Sequence, residues 1–216
     1  MATDPNVARL TPDSPRYPEG LRRFLAERAP SAIFARGNLE ILDTPTLALF
    51  SSVRCPGNLI LQTYDLARSL RDLSVTLIGG FHAPMEKECL RLLLRGKSPI
   101  IICPARSIDR YRIPAEWRQP LKDGRLLLLS SFKSNQRRPT ADLAIARNEF
   151  VAAIADEILV TFAAGGGKTE SLAFKALACG KPVFILSGPE NSALASASGI
   201  PINQASLPWK ERTAEA

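Results

Sequence analysis

Histidine is almost missing from this chain: His82 is the only one in 216 residues. With a single imidazole no Ser-His-Asp triad, Cys-His pair or multi-histidine metal site is read from the sequence, so no catalytic residue, metal ligand or cofactor is expected. Paired cysteines are missing too. Cys55, Cys89, Cys103 and Cys179 stand far apart, at neither metal-ligand nor disulfide-framework spacing, which is the pattern of reduced thiols in a cytosolic protein. No apolar run approaches the roughly 18 residues of a membrane helix, and the stretch up to Gly20 has no apolar core of a signal peptide. The expectation is a soluble, cytoplasmic protein with no membrane partner. Internal repeats and low-complexity blocks are absent as well.

What is present is 45% apolar residues, enough for the core of one sizeable α/β domain. Lys and Arg outnumber Asp and Glu by 28 to 21, for a net charge of +7. Such an excess favours polyanionic partners and serves plain solubility equally well. Pro5, Pro12 and Pro15 mark residues 1–16 as a loose tail. Pro18 and the helical spacing of Leu21, Phe24 and Leu25 predict a short helix over 18–28, and Ala32 to Asn38 reads as a small strand. From Thr46 strands alternate with helices, the pattern of a mostly parallel sheet covered on both faces. Strands are expected near 46–51, 74–78, 99–103, 125–130, 157–162 and 182–186, and helices over 58–71, 84–95, 140–155 and 168–179. Pro104 to Gly124 reads as longer and less regular. The division that follows is an N-terminal extension over 1–45, a Rossmann-like domain over 46–205 and a tail over 206–216.

Function gathers at Ile158 to Leu172, where an apolar strand gives way to Gly165, Gly166 and Gly167 and then to a helix start. Glycines admit a ligand close to the backbone, and first-turn N–H groups and the helix dipole attract an anion. Lys168 and Thr169 add a cation and a hydroxyl. A P-loop would need glycine where Phe162 stands, so NTPase chemistry is excluded and a non-hydrolytic phosphate cradle is retained beside the alternative of a plain tight turn. Ser52 and Arg54 follow the first strand of the sheet and offer a second anion contact or a loop cap. Gly80 and His82 follow the next strand, as ligand contacts or helix-start residues. Arg147 and Asn148 lie on a helix, facing either the same cleft as Lys168 or solvent. Lys133, Arg137 and Arg138 form a basic loop that either tracks a sugar-phosphate backbone or is merely solvated. Glu86 and Glu88 read as helix-surface carboxylates.

Taken in order, Tyr17-Pro18-Glu19-Gly20-Leu21, Arg36-Gly37-Asn38, Ala48-Leu49-Phe50-Ser51-Ser52-Val53-Arg54, Arg147-Asn148 and Gly167-Lys168-Thr169 resemble the motifs of the DNA-processing protein A family (DprA, or Smf), within the SLOG group of Rossmann-like proteins. The resemblance implies a Rossmann-like fold that binds single-stranded DNA in a basic pocket, often as a homodimer, with RecA as a partner in recombination and natural transformation. Ser52, Arg54, Arg147, Asn148, Gly166, Gly167 and Lys168 would then be the phosphate contacts. Ile78 to Glu86 stands where that family has SGxAxGID, and Glu149 stands at the last position of its RNR. The alternative within the group is a nucleotide-ligand sensor or a LOG-like nucleoside monophosphate phosphoribohydrolase. In that reading Leu172 occupies the position of the catalytic acid, leaving Glu170 as the nearby carboxylate.

Overall fold

Runs such as Leu47-Ala48-Leu49-Phe50, Leu126 to Leu129 and Ile158-Leu159-Val160 carry no polar alternation, and a strand of that kind is stable only when both its faces are covered. The computed structural model, which describes residues 6–203 and 207–210, buries every one of these side chains. The elements are β1 (Ala8–Leu10), α1 (Gly20–Leu25), β2 (Ile33–Gly37), β3 (Thr46–Ser51), α2 (Gly57–Leu70), β4 (Thr76–Gly79), α3 (Pro84–Leu93) and β5 (Ile100–Ile102). They continue with α4 (Ala115–Lys122), β6 (Leu126–Ser130), α5 (Ala141–Ile154), β7 (Glu157–Phe162), α6 (Lys168–Ala178), β8 (Val183–Leu186), α7 (Ser192–Ser196) and β9 (Ile200–Ile202).

One nine-stranded sheet runs in the order β1-β2-β6-β5-β4-β3-β7-β8-β9. β3 to β9 pair in parallel, and β1 and β2 add antiparallel strands beside β6. The fold is thus α/β and Rossmann-like. Period-two alternation splits the core. Ala48, Phe50, Ile158 and Val160 face α1, α5 and α6 through Leu21, Phe24, Phe150, Val151 and Ala173. Leu47, Leu49, Leu126 and Leu128 face α2 and α3 through Leu59, Leu66, Leu90 and Leu93. Among the described residues no helix is long and apolar enough to cross a membrane.

The expected strands and helices from Thr46 to Leu186 are all present, with bounds shifted by at most two residues. The loose tail is corrected within 1–16, since Ala8–Leu10 pairs with Ile33–Ala35. Residues 1–45 thereby contribute two strands to the common sheet and Leu21, Phe24 and Leu25 to its core. The irregular segment from Pro104 contains α4, which holds Pro120 within it. Of the expected tail over 206–216, residues 206 and 211–216 lie outside the described residues. Leu207 and Trp209 are buried, and the Trp209 indole donates to Glu157 at 2.7 Å.

Candidate functional site

Strand order reverses at β3, which passes to β4 on one side while β7 returns on its other side, and such a point opens a crevice at the carboxyl ends of the strands. The β3–β7 register shifts between Phe50 and Ser51, so Phe50 faces Val160 but Ser51 faces Phe162. Beyond the shift Ser52 N–H donates to Phe162 O at 2.8 Å, and Ser52 Oγ accepts from Ala164 N–H at 2.9 Å. Ser52 therefore fastens the glycine loop to β3. From the other side the buried Asn191 accepts from Ala163 N–H and donates to Thr161 O and Leu186 O, at 3.0–3.1 Å. No sequence signal marked Asn191.

Within the loop Gly166 has φ of +68°, a left-handed conformation that favours glycine, and α6 begins two residues later at Lys168. The Gly166 N–H is already engaged, donating to Glu170 Oε2 at 2.6 Å. Gly166, Gly167 and Lys168 border a 280 Å³ cavity together with Asn148, Glu149 and Lys175. Gly165 is exposed nearby, and Thr169 is half-buried outside that lining. The Glu149 carboxylate accepts from Arg28 Nη1 at 2.7 Å and from Lys175 Nζ at 2.6 Å. Burial alone would raise its pKa, but these two cations hold it below the ordinary value.

Arg147 points to a different space. It is buried, its Nη1–H donating to Cys103 O at 3.1 Å and its Nε–H to Asn148 Oδ1 at 2.7 Å. The guanidinium lies against Gly80 so closely that a Cβ on residue 80 would sit 1.6 Å from Arg147 Nη1. Burial draws the Arg147 pKa below its usual value, and the negative field of Glu86 opposes that shift.

Glu86, expected on the helix surface, is in fact buried at 6% exposure. As the third residue of α3 it reaches back to accept from His82 N–H and Ala83 N–H, and also from Ser51 N–H at 3.1 Å. It thus joins the end of β3 to the turn after β4. Burial raises its pKa despite these donors and Arg147.

Arg147, Gly80 and His82 border a 590 Å³ cavity whose other walls come from α3, the segment between β5 and α4, and the start of α5. Lys87 and Arg91 face it from α3, and Arg106 enters from beyond β5. The Arg106 guanidinium sits over the Tyr111 ring, 4.4 Å from its centroid, and Tyr111 stacks on Trp117 at 6.1 Å with an interplanar angle of 10°. Burial, then Lys87 and Arg147, lower the His82 pKa.

One shared pocket for Arg54, Arg147 and Lys168 is therefore not the arrangement found. Arg147 and Lys168 border separate cavities, and Arg54 is exposed and borders neither. Lys133 and Arg138 are exposed on the loop after β6 and likewise border neither, while Arg137 lines a third, smaller recess with Arg106. Cys89 and Cys103 are buried, and burial pushes both thiols up to about 12, leaving no thiolate nucleophile there.

The family model described as DNA recombination-mediator protein A matches residues 8–208. No curated protein matches the chain. Among solved structures it is similar to DNA processing protein A (DprA) from Streptococcus pneumoniae, with a TM-score of 0.76 and 17% identity over 92% of this chain and 72% of that one. It is also similar to DNA processing protein A from Helicobacter pylori, a protein with a unique single-stranded DNA binding mode. There the TM-score is 0.74, with 19% identity over 97% of this chain and 94% of that one. A molybdenum cofactor binding protein from Rippkaea orientalis is more distant, with a TM-score of 0.52 and 14% identity over 75% of this chain and 91% of that one. At these identities the likeness is one of fold.

Proposed function

We propose that this chain, which belongs to the DNA recombination-mediator protein A family, binds single-stranded DNA by seating a nucleotide in the 590 Å³ cavity. The observation that carries this reading is that the stack of Arg106, Tyr111 and Trp117 lines the same cavity as the buried Arg147. Unpaired bases have π-faces that stack on aromatic rings whatever their sequence, and their phosphates need cations close by. The Trp117 ring takes the base on the face that Tyr111 leaves open. Arg147, fixed against Gly80 with two of its five N–H donors committed, offers others to a phosphate, with His82, Lys87 and Arg91 around it. Lys168 and the glycine loop, across α5, receive the next stretch of backbone through Asn148, which borders their cavity and holds Arg147. No covalent step is required, and the wider role in the family reading is recombination or DNA uptake in the cytoplasm, as a homodimer handing DNA to RecA.

The test uses the two tryptophans. Trp209 is buried at 2% exposure, so quenching on titration with a thymidine oligonucleotide reports Trp117. Trp117→Ala should remove the signal and weaken binding about tenfold, the scale of one lost base stack. Unchanged affinity in that variant overturns the assignment.

A second reading, a mononucleotide sensor, draws on the size of the same cavity, which suits a small ligand. Affinity that rises steeply from thymidine monophosphate to an oligomer favours the first reading, and equal affinity favours the second. Phosphoribohydrolase activity is the weaker version of the second, because Glu170 is tied to its own loop amide and Leu172 is buried in the core.

A further inference from the structure

We infer that the segment after β5 carries a separate phosphate seat made by Arg106, Arg110 and Arg137, which holds the strand on the far side of the stacked base. The inference rests on the single-stranded DNA reading. These three arginines, with Ser107, Asp109 and Tyr111, enclose a recess of 160 Å³. That is about a quarter of the 590 Å³ of the larger cavity, room for a phosphate group rather than a whole nucleotide. Arg106 and Tyr111 border both this recess and the larger cavity, so a strand whose base stacks on Trp117 has a path from one into the other.

The backbone around the recess is fixed by hydrogen bonds and burial. Ile108 is wholly buried. Ser130 Oγ donates to Arg106 O at 2.9 Å, Asp109 N–H donates to Ser107 Oγ at 3.1 Å, and Ser107 N–H donates to Gln136 O at 2.8 Å. The last bond clamps the segment after β5 to the loop after β6, so that Arg110 and Arg137 line the same recess. Three arginines border this one recess beside the carboxylate of Asp109, Arg137 keeping its Nε–H on Ser134 O at 3.1 Å, and their excess of positive charge favours an entering anion. Arg110 also has φ of +55°, a left-handed conformation that a long side chain adopts only under constraint from its surroundings. Glycine would be more stable there, which makes the arginine head the reason to accept the strain.

The opposite demands of backbone and side chain supply the experiment. Binding of a labelled thymidine oligonucleotide is measured by anisotropy from low to moderate salt for the wild type, Arg110→Gly, Arg110→Ala/Arg137→Ala, and Lys122→Ala as a control lacking one cation elsewhere. Arg110→Gly should raise the thermal midpoint yet weaken binding several-fold. Arg110→Ala/Arg137→Ala should weaken binding about tenfold or more and make the salt dependence shallower by about one phosphate contact. Lys122→Ala should leave both nearly unchanged. Oligonucleotides with and without a terminal phosphate tell a strand end from an internal phosphodiester: preference for the phosphorylated end assigns the seat to an end, and equal affinity assigns it to the chain interior. Wild-type affinity and salt slope in Arg110→Ala/Arg137→Ala, or an equal loss in Lys122→Ala, overturn the seat alone. A wild type that binds no oligonucleotide overturns the DNA reading and the seat with it.

Discussion

The sole histidine and a buried asparagine illustrate what single side chains contribute. Burial first, and then Lys87 and Arg147, keep the His82 pKa below 6.5 in the free protein. A phosphate entering the same cavity supplies negative charge and raises that pKa, so binding takes up a proton and affinity should rise as pH falls from about 7 to about 5.5. Anisotropy titrations across that range should show the rise in the wild type and a flatter profile in His82→Asn; identical profiles would remove His82 from the site. Asn191 acts through the backbone instead. Its amide satisfies Ala163 N–H, Thr161 O and Leu186 O, all at the ends of β7 and β8. Asn191→Leu leaves these groups unpaired and should cost about 2–3 kcal/mol in urea unfolding. Neither this role nor that of Glu86 was legible in the sequence, because an Asn in a loop or a Glu in a helix looks the same whether it faces water or three backbone amides.

Among the elements, α5 organises the site. Arg147 and Asn148 are consecutive, so about 100° of helical turn separates them and each serves a different cavity. That geometry explains why the sequence pattern left open whether Arg147 faces the cleft of Lys168. Glu149 continues the turn and ties α5 to the segment after α1 through Arg28 and to α6 through Lys175, whose ammonium also lies 4.9 Å from the Phe24 ring centroid. Because its folded-state pKa is depressed, this carboxylate adds stability above its unfolded pKa, and the contribution is lost as pH falls through the folded value. Glu149→Gln should therefore lower stability by about 1 kcal/mol at neutral pH, with Arg28 largely solvent-screened, and the gap to wild type should close in acid. Urea midpoints at about pH 7 and about pH 3 measure it; a constant gap would deny the ionic role. Strands such as 46–51 and 157–162 were legible to the residue because each is built on an unbroken apolar run, Leu47 to Phe50 and Ile158 to Val160. By contrast α4 was hidden by Pro120, and β1 by its length of three residues.

For the whole molecule, alternating strands and helices were enough to foresee a covered parallel sheet, but not the antiparallel pair β1–β2 beside β6, whose partners lie some 95 residues downstream. The aromatic wall escaped notice for another reason: Tyr111 lies before α4 and Trp117 in its first turn, so their stacking depends on an element that Pro120 concealed. The position of β3 has one more consequence. It gains β4 through a single crossover, but β7 reaches its other side much later, as in the bond from Thr46 N–H to the Asp156 carboxylate 110 residues away. A chain emerging from the ribosome with β3 to β6 complete still presents β3, an interior strand of the finished sheet, as a bare edge, and that edge can pair with another nascent chain. This pairing spans the longest stretch of chain of any in the sheet, so closing it is the slow stage of folding, and a strand that ends up flanked on both sides is exposed during synthesis.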